Sequence, residues 1–119
     1  MKLAWILSVL LTTGATLAQA QDIEAGKAIF KKCALCHSAD PVNKVGPSLH
    51  GIVGRHSASL ENFSYSPAMK TADKVWDEKQ LDVYLTDPRK VVPNTRMIFP
   101  GLKDEKDRQN LIAYLATLK

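Results

Sequence analysis

At 119 residues, with 45% hydrophobic side chains and a formal net charge of +4 at pH 7, the chain is sized for one small domain with a mildly basic, lysine-rich surface. Its basic residues form no cluster dense enough to track a phosphate backbone, which excludes nucleic acid and favours an acidic protein partner or an anionic membrane face. A chain of this size buries only about 60–70% of its unfolded surface, so something besides its own side chains is expected to supplement the core.

The chain opens MKLAWILSVLLTTGATLAQA, which reads as a secretory signal peptide. Lys2 precedes an apolar run from Leu3 to Leu11, and Ala18 and Ala20 form a small-residue cleavage pattern. The run is shorter than the ~18–20 apolar residues of a spanning helix, and Thr12, Thr13, Gly14 and Thr16 break it, so no stable membrane anchor is expected. Residues 1–20 would be removed, leaving residues 21–119 as a single exported domain.

Three segments of that domain carry helical periodicity. In DIEAGKAIFKKC, Asp22 is suited to cap a helix whose inner face holds Ile23, Gly26, Ile29, Phe30 and Cys33. In WDEKQLDVYL, Asp77 is the cap, Gln80 takes the capping-box position, and Trp76 can staple onto Leu81. DEKDRQNLIAYLATLK carries Leu111, Leu115 and Leu118 on one stripe, with acidic residues at its start and Lys119 at its end, as the helix dipole prefers. Two short helical turns are expected where Ser66-Pro67 and Asp87-Pro88 place a cap before a proline. Between Asp40 and Tyr65 nothing is periodic, and Pro41, Gly46, Pro47, Gly51 and Gly54 punctuate the stretch. No strand pattern is present. The expectation is an all-α chain whose long loops wrap something.

CALCHS, residues 33–38, narrows what that something is. It sets two cysteines three positions apart and a histidine directly after the second. Export makes a disulfide the default, but Cys33 and Cys36 are too close to close a useful loop. A thioredoxin-like dithiol needs a βαβ setting, which is absent. A structural zinc site needs four Cys/His ligands, and His50 and His56 lack the spacing to complete one. Covalent haem attachment fits best: each thiol joins a vinyl group, and His37 becomes the proximal iron ligand. The second axial ligand must come from elsewhere. Met97 lies in PNTRMIFPG, which Pro93 and Pro100 hold out of regular helix. Met69 is its rival, and His50 and His56 are further candidates; spacing alone does not choose.

CALCH, KVGPSLHGIVGR, FSYSPA, VW, YLTDPRKVVPNTRMIFPGL and RQNLIAYL together resemble a bacterial class I cytochrome c, the soluble periplasmic shuttle type related to mitochondrial cytochrome c. The resemblance covers essentially all of residues 22–119. It implies the small class I fold, three main helices and two helical turns around one haem c bound through Cys33 and Cys36, with Met97 as the distal ligand. It also implies supporting roles. The Pro47 carbonyl would accept the Nδ1 proton of His37, fixing its tautomer. Arg55, Tyr65 and Trp76 would serve a buried propionate, a carboxylate in need of donors. Tyr84 would hydrogen-bond the Met97 sulfur, and Thr95 would donate near the inner propionate. Gly26 and Phe30 would cross Leu111 and Tyr114 where the terminal helices meet. The stretches from Phe30 to Cys33 and from His37 to Pro47 are shorter than in the mitochondrial branch, and Met69 stands where an asparagine commonly supports the propionate network.

The function so implied is a monomeric periplasmic electron carrier, not an enzyme. It would run between a quinol–cytochrome c reductase (the cytochrome bc complex) or a dehydrogenase and a terminal oxidase, reductase or reaction centre. Lys32, Lys44, Arg89, Lys90, Arg96 and Lys103 match positions that ring the haem edge in the family and would dock acidic redox proteins. Two rival readings are a haem enzyme with a vacant distal site, which requires that Met97 not ligate, and a dedicated subunit of a larger oxidoreductase.

Overall fold

The computed structural model describes residues 21–119; the expected signal peptide lies outside the described residues. Five helices follow in order: α1 (Ile23–Phe30), α2 (Pro67–Thr71), α3 (Glu78–Thr86), α4 (Pro88–Val91) and α5 (Glu105–Ala116). They are the three main helices and two short turns that periodicity and capping residues suggest. An isolated bridge between His56 and Val75 is the nearest approach to a strand among the described residues. No helix among them is long and apolar enough to cross a membrane.

The starts of the helices are set locally. Asp22, Ser66, Asp77 and Asp104 each accept a backbone N–H from three residues ahead, satisfying one of the donors that a helix start leaves free. Asp87 departs from expectation. It precedes α4, but its side chain makes no capping bond, and Pro88 alone presets the turn. The last helix also stops short of Lys119, which therefore lies beyond the terminal turn it was expected to complete.

Packing begins where α1 crosses α5. A methyl group added at Gly26 would lie 1.9 Å from the Asn110 carbonyl oxygen, so only glycine allows this approach. The Phe30 and Tyr114 rings meet beside it with centroids 5.3 Å apart, and the Asp22 N–H donates to Asn110 Oδ1 at 2.9 Å. Leu111, Leu115, Leu81, Leu85 and Trp76 extend this contact into the core. The long central loop is held to the rest by backbone bonds: Gly51 N–H to Leu118 O at 2.6 Å, Gly54 N–H to Trp76 O at 2.8 Å, and Trp76 N–H to Arg55 O at 2.8 Å.

Candidate functional site

Beyond Phe30 the chain keeps turning. Cys33 and Ala34 N–H both donate to Phe30 O, and Cys36 and His37 N–H both donate to Cys33 O. These turns bring Cys33, Cys36 and His37 to the wall of one cavity of about 370 Å³, within the ~300–1,000 Å³ of cofactor sites. The two cysteines are not bonded to each other. Burial pushes the Cys33 thiol up to about 11, with Lys32 opposing the rise, so at neutral pH it is a protonated thiol rather than a thiolate.

His37 is seated on two neighbouring residues. Its Nδ1 lies 2.7 Å from the Pro47 carbonyl oxygen, which assigns the ring proton to Nδ1 and leaves the Nε2 lone pair free. Burial lowers the imidazole pKa; the Pro47 bond opposes this, and the charge of Lys44 adds to it. The ring is therefore neutral and able to ligate at neutral pH. Gly46 sets its position. A methyl group there would come within 2.5 Å of His37 Cε1 and 2.7 Å of Nδ1. Sequence reasoning treated Gly46 as loop punctuation only, because a glycine beside a proline signals a turn and not the ring that rests against it.

Met97 reaches the same cavity from the loop between α4 and α5. Its N–H donates to Thr95 Oγ1 at 3.2 Å, and the buried Tyr84 hydroxyl donates to its sulfur at a long 3.9 Å. Burial raises the Tyr84 pKa, with a hydrogen bond from Thr95 opposing, so the phenol keeps its proton. Met69 also lines the cavity, from the first turn of α2, so wall position alone does not separate the two thioethers. The histidines do separate. His56 borders the cavity too, but its Nε2 lies 2.9 Å from Asp73 Oδ1 and its Nδ1 3.0 Å from Ser57 O, acceptors that draw the ring toward its own loop. His50 Nδ1 is 3.2 Å from Ala39 O, and His50 does not border the cavity.

Arg55, Tyr65 and Trp76 also line the cavity. The Arg55 guanidinium donates to the carbonyls of Ser48 and His50, which fixes its plane and leaves further N–H donors unused. Burial lowers its pKa while the neighbouring Tyr65 opposes this, and a guanidinium stays charged regardless. The Tyr65 hydroxyl accepts the Leu60 N–H at 3.3 Å, keeping its own proton to donate. Trp76 packs against Tyr84 at 4.7 Å between centroids. Apolar walls, two thiols, a neutral imidazole, a thioether and a set of anion-directed donors fit a haem bearing carboxylate side chains. At the mouth the sequence also concealed an apolar group. Val45 and Ile98, which line it, are 80% and 91% exposed, and their neighbours in sequence gave no sign that the two would surface beside the site.

A profile of the family described as Cytochrome c matches residues 23–119. Cytochrome c2 of Blastochloris viridis is 46% identical over 116 residues, covering 96% of this chain and 91% of its own length. Cytochrome c-550 of Nitrobacter winogradskyi is 45% identical over 97 residues, covering 80% and 89%. The solved structure of cytochrome cH from Methylobacterium extorquens aligns with a TM-score of 0.77 at 40% identity, covering 81% of this chain and 98% of that one.

The seat of His37 is open to test. Gly46→Ala should displace the ring or the loop, at a cost of about 1–3 kcal/mol for overpacking. Denaturant midpoint and yield of matured protein should both fall; a variant with wild-type spectrum and midpoint would show that Gly46 does not fix the ring.

Proposed function

The chain belongs to the cytochrome c family, and from that membership we propose how this member works. It is an electron-transfer protein with covalently bound haem c, not an enzyme. When bound, the haem supplies a one-electron couple at its iron. Cys33 and Cys36 would hold it through thioether bonds, and His37 and Met97 would ligate its iron. With two ligands from the protein, the iron would offer no site to a substrate. Histidine with methionine sets a higher potential than two histidines. The observation carrying this reading is the pair of oriented donors: His37, whose Nδ1 is committed to Pro47, and Met97, whose sulfur is met by the Tyr84 hydroxyl.

Each remaining site residue has a matching task. Pro47 keeps the His37 tautomer. Arg55, Tyr65 and Trp76 supply a guanidinium, a phenol and an indole N–H to a propionate. Tyr84 and Thr95 steady Met97 and the polar groups beside it. Signal cleavage after Ala20 delivers residues 21–119 to the periplasm as a monomer. There it carries single electrons between a cytochrome bc complex or dehydrogenase and an oxidase, reductase or reaction centre.

Docking uses charge around an apolar centre. Lys32, Lys44, Arg89, Lys90, Arg96 and Lys103 are all exposed. Three of them are anchored: Lys44 Nζ donates to Ala34 O at 2.6 Å, Lys103 Nζ to Thr86 O at 2.7 Å, and Arg96 more weakly to Ser64 O at 3.4 Å. Lys32, Arg96, Val45 and Ile98 border the cavity mouth, so an acidic partner would meet cations and exposed apolar side chains together. Charge guides the approach, and a small apolar contact lets the partner leave quickly.

Two experiments test this. Met97→Ala should abolish the near-infrared sulfur–iron absorption of the ferric protein and admit carbon monoxide to the ferrous form, whereas Met69→Ala should keep the absorption. Loss of the band in Met69→Ala alone would transfer the distal role to Met69. Electron exchange with an acidic partner should slow as salt rises past about 0.1 M, where screening acts within roughly 10 Å. Charge reversal at Lys32 or Lys90 should slow association more than reversal at Lys119; equal effects at all three would rule out a localised docking ring.

A further inference from the structure

Arg108 lies in the first half of α5, is only 9% exposed, and points to none of the groups assigned above. Its Nε donates to Asp82 Oδ1 on α3 at 2.8 Å. Its Nη1 donates to the carbonyls of Leu102 and Lys103 at 3.0 and 3.1 Å. One buried guanidinium thus joins α3, α5 and the downstream end of the loop that carries Met97.

That loop end is fastened to α3 by other contacts as well. Leu102 N–H donates to Leu85 O at 2.8 Å, and Lys103 Nζ donates to Thr86 O at 2.7 Å. Gly101, at φ 104°, passes so close that an added methyl would lie 2.1 Å from Thr86 O. The upstream end is fixed by buried Val92, whose N–H donates to Pro88 O at 2.9 Å. Between these ends the loop has few bonds of its own: Thr95 N–H to Val92 O, Met97 N–H to Thr95 Oγ1, and the long Arg96 contact. Pro93 and Pro100 have no N–H to contribute. The position of Met97 is therefore set mainly from the ends of its loop.

We propose that the Arg108–Asp82 pair is a positioning clamp that holds the Met97 loop closed over the cavity. The clamp rests on the reading of Met97 as iron ligand. Chemistry favours arginine for the task. A planar guanidinium can serve a carboxylate and two carbonyls in different directions at once, and an ammonium on a flexible stem cannot hold all three in register. Asp82 balances the buried charge, so that removing it leaves a cation short of a partner. Tyr84, which meets the Met97 sulfur, stands two residues beyond Asp82 on the same helix. A shift of α3 against the loop end therefore moves both the sulfur and its hydrogen-bond donor.

The test uses the haem-loaded protein. Imidazole binding to the ferric form at pH 7 measures how readily Met97 is displaced, and amide exchange at Leu102 measures closure of the loop end directly. Asp82→Asn and Arg108→Lys should raise imidazole affinity by about tenfold and speed Leu102 exchange, since each removes part of the charge-assisted network that the buried Arg108 makes with the half-exposed Asp82 and two carbonyls. Asp82→Glu, which keeps the carboxylate, should recover much of the wild-type affinity. Phe30→Leu, placed at the α1–α5 crossing away from the cavity, serves as a control for general loss of stability. Equal imidazole affinity in Phe30→Leu and the clamp variants at matched stability would overturn the proposal. Faster Leu102 exchange with unchanged imidazole affinity would overturn it too, by showing a clamp that does not govern Met97. A wild-type ferric protein lacking the sulfur–iron absorption would instead remove the Met97 reading, and the clamp's role with it.

Discussion

A cavity of about 370 Å³ in the middle of a small helical domain is the constraint on which the rest of this structure depends. Leu81, Leu85, Leu111 and Leu115 belong to the buried core and at the same time form its wall. The core is a shell around a space, not a solid centre. The haem is therefore a structural element of this chain as well as its redox centre, and it supplies the apolar contact that the chain's size denies it.

The polar chemistry follows from the same geometry. An apolar wall penalises unpaired polar groups, and several at its edge are committed to partners. His37 is committed to Pro47, Arg55 to two carbonyls, and the Met97 amide to Thr95. These commitments fix which atoms remain free to face the cavity. Burial keeps the His37 imidazole neutral, the state able to ligate. Charge is carried outside instead, on exposed lysines and arginines where it costs little and can guide a partner.

What the sequence disclosed was mostly local. Asp22, Ser66 and Asp77 announced three helix starts, since a cap acts on the backbone three residues ahead, and acidic residues marked the start of α5 without singling out Asp104. The attachment motif was legible because all its donors lie within one turn. Choosing Met97 over Met69 needed resemblance, because both are thioethers that reach the same wall. Asp87 misled because aspartate before proline looks like a cap whether or not its side chain turns inward. Gly46 and Arg108 were unreadable for a different reason. Their importance lies in contacts set by the fold: a histidine ring against a glycine Cα, and a guanidinium against carbonyls brought in by another loop. The stretch from 40 to 65 hid its order likewise, for its bonds run to Trp76 and Leu118.

The dependence of the fold on a filled cavity is tested most directly by far-ultraviolet circular dichroism of the chain from Gln21 to Lys119 made without haem. Most of the helical signal should be missing, with no cooperative thermal transition, and both should return in the haem-loaded protein. A haem-free chain with the full helical signal and a cooperative transition would mean that the side chains close the core by themselves, and the cavity would lose its place as the organising constraint.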